Sequence, residues 1–115
     1  MLKQLLLTRK IAELNKTLEE AREKEAGFLA RQTALETREA ELVAALEEVT
    51  PETSEEDKAV VDGEVAQHEA ESQALNEEKA ANDAEMVRLG EEIEKLQTEL
   101  DELNARGAKK PWTIA

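Results

Sequence analysis

Between Leu7 and Val49 every seventh residue is apolar: Leu7, Leu14, Ala21, Phe28, Leu35, Leu42 and Val49. A second series, Gln4, Ile11, Leu18, Glu25, Gln32, Glu39 and Leu46, runs between them, so the two alternate by three and four residues. That alternation marks the d and a positions of a heptad repeat and confines apolar surface to one stripe of a helix. Because the period is seven and not eleven, the stripe stays in register only if the helix supercoils to the left around a partner. The chain must therefore contain, or recruit, a second helix that covers it.

The remaining sequence supplies that helix. The first one is expected over residues 2–49, on the order of 70 Å at ~1.5 Å per residue. Thr50-Pro51 ends it, since proline lacks the amide hydrogen that continuation needs and biases the residue before it away from helix. After a turn at 50–54, Ser54 followed by Glu55, Glu56 and Asp57 offers a capping hydroxyl and then carboxylates beside the positive end of a helix dipole. The second helix is expected over 55–106, closed by Arg106-Gly107, with 107–115 as a flexible tail holding Pro111 and Trp112. Its stripe reads Val61, Val65, His68, Ser72, Leu75, Lys79, Asn82, Met86, Leu89, Ile93, Leu96, Leu100, Leu103.

A five-residue turn makes the helices antiparallel neighbours. Pairing stripe residues whose numbers add to 107 sets Leu7 against Leu100, Ile11 against Leu96, Leu14 against Ile93, Leu18 against Leu89, Leu42 against Val65 and Leu46 against Val61. The polar positions then gather in the middle: Glu25 opposite Asn82, Phe28 opposite Lys79, Glu39 opposite His68. Such layers lower stability and limit alternative registers. One flank supports the same pairing. Its g positions on the first helix include Lys3, Lys10, Lys24, Arg31 and Arg38, and on the second Glu64, Glu71, Glu78, Glu85, Glu92 and Glu99. The expected pairs are Lys10 with Glu99, Lys24 with Glu85, Arg31 with Glu78 and Arg38 with Glu71, each worth only about 0.2–1 kcal/mol when exposed. The opposite flank offers a single pair, Arg22 with Asp83, and sets Glu36 against Glu69. With Leu29, Val43 and Gly90 on that edge, and Leu2, Leu5 and Leu6 off the stripe at the open end, a second interface is expected there. The fold expected is all-α: a long antiparallel two-helix coiled-coil hairpin, one elongated domain that oligomerises through its second edge.

Composition narrows the function. One Phe, one Trp and no Tyr leave little to fill a three-dimensional core, and the absence of cysteine removes disulfides, thiolate metal sites and cysteine nucleophiles. His68 is the single histidine; Glu64 lies four residues before it, a two-ligand signal too sparse for a metal, and no nucleophile, base and orienting group converge. No enzyme activity, cofactor or metal is expected. The apolar run Leu5–Leu7 is too short to cross a membrane. The net charge is −13, and residues 50–115, with eighteen acidic and seven basic side chains, carry most of it, against ten and eight in residues 1–49. That argues against direct nucleic-acid binding.

Several segments resemble a known family: Met1-Leu2-Lys3-Gln4-Leu5, Lys10-Ile11, Glu55-Glu56 through Val60, Glu64-Val65, Glu69-Ala70-Glu71, Glu91-Glu92-Ile93, Leu96, Glu99-Leu100 and Leu103-Asn104. Together they look like the N-terminal scaffold-like (delta) domain of tailed-phage major capsid proteins of the Hong Kong 97 fold, over residues 1–110. The resemblance implies a phage or prophage scaffold segment that self-associates, guides capsid subunits during procapsid assembly, and works in the bacterial cytoplasm or inside the procapsid. In that family a capsid domain follows, so an excised segment and a stand-alone product are both open. Two other readings compete. An acidic, phage-derived decoy of the anti-CRISPR kind could place Glu77, Glu94, Asp101 and Glu102 in a basic nuclease groove in place of phosphates. A generic coiled-coil adaptor is the plainer alternative. The hairpin itself is testable: cysteines introduced as Leu7→Cys and Leu100→Cys are expected to cross-link within one chain at high dilution, and purely intermolecular products would overturn it.

Overall fold

The computed structural model describes residues 1–108 and is an all-α helical hairpin of two elements, α1 (Leu2–Glu47) and α2 (Glu55–Ala108). The tail expected from residue 107 lies outside the described residues from Lys109 onward. α2 itself runs through Arg106 to Ala108, past the expected stop.

The turn is built by side chains next to the proline. α1 ends at Glu47, two residues short of the expected Val49, and its last amide bonds tighten, with Val49 N donating to Leu46 O at 3.2 Å. Glu47 and Glu48 put carboxylates at the negative end of the helix dipole, which weakens the last turn before Pro51 acts. Thr53 N then donates to Thr50 O at 3.0 Å, closing a turn with Pro51 in its second position, where a fixed φ suits it. Thr50 N donates to Thr53 Oγ1 at 2.9 Å. Ser54 Oγ accepts from Asp57 N at 3.1 Å, the N-cap bond, and Glu55, Glu56 and Asp57 occupy the first turn of α2. None of the described residues takes a positive φ, so the reversal needs no glycine.

The described chain forms two compact units, Met1–Glu23 with residues 82–108, and Lys24–Ala81. In the first, Leu7, Ile11 and Leu96 are buried together and Leu14, Ile93, Leu100 and Leu103 pack against them, which gathers the expected pairs of this end into one cluster. Ala21 and Leu89 are buried as well, Leu89 at 1 % exposure. Asn82 is buried among them and its Nδ2 donates to Ala21 O at 2.9 Å. A polar side chain thus sits in an apolar seam because a carbonyl of the facing helix accepts from it.

The second unit contains the turn. Phe28, Leu42 and Leu75 are buried; Leu35, Val61, Val65, His68, Ser72 and Lys79 are half-buried. Lys79 is half-buried in the stripe. Its Nζ donates to Gln32 Oε1 at 2.9 Å, while the Arg31 guanidinium stands 5.8 Å above the centre of the Phe28 ring. The exposed Arg31 holds its charge at the edge of the seam, whereas the part-buried Lys79 bond is made to Gln32, itself a stripe residue. Two stripe assignments fail here. Glu39 is exposed, and Leu46 keeps 44 % of its surface in water while Ala45 is half-buried instead. Leu42 stays buried and Val49 half-buried, so the other series holds the seam at this end of α1 while positions 39 and 46 lie at its edge.

In both units residue numbers rise along one helix as they fall along the other: Lys3 meets Glu99 and Ala21 meets Asn82; Arg31 meets Glu78 and Arg38 meets Glu64. The stripe should therefore carry unequal weight along its length. Leu89→Ala is expected to cost roughly 2–5 kcal/mol and Leu46→Ala under about 1 kcal/mol, measured by urea unfolding followed by circular dichroism. Equal losses would overturn the assignment of Leu46 to the edge.

Candidate functional site

Two surfaces flank the seam, and they differ in charge and packing. On the first, the cationic row of α1 meets the carboxylate row of α2. Arg31 Nη2 lies 2.6 Å from Glu78, as the spacing predicts. Two other pairs shift by one heptad: Lys3, not Lys10, reaches Glu99 at 3.4 Å, and Arg38 reaches Glu64 at 3.1 Å and not Glu71. A g-position side chain lies between two carboxylates a heptad apart, and a long stem can reach either. For Arg38 the choice has a local cause. Glu41, three residues further along α1, takes its Nη1 at 3.0 Å and draws the guanidinium toward Glu64, while Glu71 is engaged by the Gln67 amide at 3.2 Å. The Glu41 hydrogen bond above all, joined by the fields of Glu64 and Glu41, outweighs desolvation and raises the Arg38 pKa further. The cation therefore persists at any pH at which the hairpin folds.

This displacement opens the surface. Beside Arg31, Ala34, Leu35, Arg38 and Glu71 lies a groove of about 420 Å³, and beside Arg38, Glu64, Gln67, His68 and Glu71 another of about 250 Å³. Small Ser72 faces this part of the seam, and exposed Glu39 gives it nothing. His68 Nδ1 is shielded from solvent without a hydrogen-bond partner, so the expected Glu39–His68 layer does not form. No group of three or more metal-ligating side chains occurs among the described residues.

The second surface carries fewer charges. In the first unit, Leu18, Arg22, Asp83, Met86, Val87 and Gly90 line a shallow groove of about 440 Å³. The expected Arg22–Asp83 pair is not made: Arg22 Nη1 turns along its own helix to Glu19 at 3.5 Å. A side chain three residues away costs less entropy to reach than one across a groove. In the second unit, Leu29 is 62 % exposed, and Val43 is exposed as well. At the open end Leu2, Leu5 and Leu6 are all exposed. Val87, also 61 % exposed, is not among the interface residues expected from the sequence. A signal for it exists, since an apolar residue directly after Met86 widens the stripe on one side.

Glu77, Glu94, Asp101 and Glu102 are all exposed on α2. Glu77 and Asp101 accept hydrogen bonds from the neutral amides of Gln73, at 3.3 Å, and Gln97, at 3.0 Å. No helix among the described residues is long and apolar enough to cross a membrane. Comparison with protein-family models, curated proteins and solved structures finds no match to this chain.

The ionic flank yields a register test. Arg31→Glu is expected to lower stability by roughly 0.5–1 kcal/mol, and Glu78→Arg in the same chain to recover it. Arg38→Glu should be recovered by Glu64→Lys and not by Glu71→Lys, read as shifts in thermal midpoint. Recovery through Glu71 would show that the pairing is not the one described.

Proposed function

We propose that this chain is a non-enzymatic assembly protein: a self-associating helical hairpin that guides phage or prophage capsid subunits as a scaffold segment. The observation that carries this reading is the placement of apolar side chains outside the seam. Leu2, Leu5 and Leu6 stand in solvent at one end of α1, 79 %, 59 % and 56 % exposed, although each helix already has its stripe covered by the other. Large apolar side chains clustered on an otherwise charged surface favour contact with another protein. The resemblance of residues 1–110 to the delta domain supplies the kind of partner. Weak and repeated contacts suit a scaffold that must let go, and a surface of three leucines beside Lys3 and Arg9 is of that modest size. The place of action is then the bacterial cytoplasm or the procapsid interior.

A decoy function has one observation in its favour. Glu77 and Asp101 accept from neutral amides and not from cations, and Glu94 and Glu102 are exposed on the same helix. Against it, carboxylates of the other row, Glu64, Glu78 and Glu99, are matched by Arg38, Arg31 and Lys3. A coiled-coil adaptor for some other complex is what stands if neither partner binds.

Co-expression with a Hong Kong 97-type capsid subunit that lacks its own N-terminal segment tests the proposal. Closed shells are expected by electron microscopy and sedimentation with the native chain, and only unassembled subunits with Leu2→Ser, Leu5→Ser and Leu6→Ser combined, which should keep full helicity. Shells that form equally well without the chain would overturn the reading, as would salt-sensitive binding to a basic nuclease without any effect on capsid subunits.

A further inference from the structure

Charged side chains are unevenly distributed along this chain, and exposed apolar residues stand at both extremes. Residues 1–12 hold three cations, Lys3, Arg9 and Lys10, and no carboxylate, although the chain has a net charge of −13. In the first unit, Leu7 and Ile11 turn into the seam. Leu2, Leu5, Leu6 and Arg9 follow the i, i+3, i+4, i+7 spacing of a single helix face, about half a turn away from that seam. All four are exposed, and Leu5 and Leu6 each lie one turn from Arg9. Lys3 makes a 3.4 Å contact with Glu99 yet keeps 66 % of its side chain exposed, and no ion pair engages Arg9 or Lys10 among the described residues. The start of α1 is thus an uncovered apolar strip with a cationic border.

The turn, in the second unit, is the reverse. Residues 39–57 hold eight carboxylates and no cation. Val43 and Leu46 are exposed one turn apart on α1, and Glu47 lies one turn after Val43. Glu47, Glu48, Glu52, Glu56 and Asp57 are all exposed, and Lys58, which follows them, is already held by Glu55 at 3.4 Å. Residues 59–78 also lack a lysine or arginine, but Glu64 and Glu78 there are taken by Arg38 and Arg31. The turn has no such neutralisation, so a cation brought from outside relieves the mutual repulsion of its carboxylates.

We propose that the face of α1 formed by Leu2, Leu5, Leu6 and Arg9 docks on the turn-proximal end of α1 in a second copy of this chain, with the leucines against Val43 and Leu46 and Arg9 paired to Glu47. The spacings agree. Leu5 and Arg9 are four residues apart, as are Val43 and Glu47, so two helices running in the same direction set Leu5 on Val43 and Arg9 on Glu47 together. Leu6 then lies toward Leu46. The two surfaces differ, so the contact is heterologous: each copy uses its leucine strip on one neighbour and keeps its turn for another. Charge selects this occupant, because an acidic chain meets its own copies favourably where unlike charges are brought together. The proposal rests on the self-association in the reading above but not on its capsid partner.

The test uses the chain alone, by sedimentation equilibrium over a range of concentrations and salt. The mean mass of the native chain is expected to rise with concentration and to fall as salt screens the contact. Arg9→Glu should weaken association roughly tenfold or more, because it sets a carboxylate among carboxylates. One chain carrying Leu5→Ser, Leu6→Ser and Arg9→Ser, and another carrying Val43→Ser and Glu47→Lys, should each stay monomeric with helicity retained. Mixed in equal amounts they should form dimers and nothing larger, because the turn of the first and the leucine strip of the second make one intact junction. A native chain that stays monomeric at high concentration would overturn the proposal. So would a mixture that stays monomeric, or association unaffected by Val43→Ser with Glu47→Lys, since the leucines would then bind elsewhere. No capsid subunit is present, so these outcomes are independent of whether shells form.

Discussion

Burial of one narrow apolar stripe holds this protein together, and each helix has only the other to bury it against. A two-helix arrangement removes little surface from water compared with a globular domain, so each seam position matters and few are fully shielded. Leu89, Leu75 and Leu42 are at 3 % exposure or less, while most of their neighbours in the stripe remain half-buried. The same shortage explains the long charged stems laid over the seam. Lys79 and Arg31 cover it with their methylenes and place their charges on Gln32 and Glu78.

Polar residues in the stripe meet three different fates, governed by what lies opposite. Asn82 is buried because a carbonyl of the facing helix, that of Ala21, accepts its amide. Lys79 stays half-buried because Gln32, a stripe residue of the facing helix, accepts from its ammonium. Glu39 is exposed, where its carboxylate keeps its hydration. His68 loses its expected neighbour as a result, and the surface beside it opens into a groove. Polar layers restrict register only where the partner group is in reach, and here Asn82 meets that condition directly.

The two flanks divide the work. One is closed by ion pairs between rows of opposite charge, which individually contribute little but disfavour any arrangement that sets carboxylate rows together. The other has few charges, an apolar groove and a rim with one charge of each sign. The exposed leucines at the start of α1 form a further apolar surface, with Lys3 and Arg9 close by in sequence.

By itself the sequence determined the two helices, the position of the reversal and the direction of the returning arm. Heptad spacing, the amide missing at Pro51 and the hydroxyl of Ser54 all act within a few residues of one another, and local rules of that kind can be read from order alone. The matching of stripe positions also follows from spacing for Leu7, Ile11, Leu14, Ile93, Leu96 and Leu100, which gather in one cluster, but not at Glu39 and Leu46. Tertiary structure decided the rest: that Arg38 turns to Glu64, that Lys3 takes Glu99, that Arg22 stays with Glu19, and that Val87 borders a groove. Those outcomes depend on competition among acceptors within reach of one long side chain, and on how much of the surface its neighbours leave uncovered. Neither is encoded at any single position.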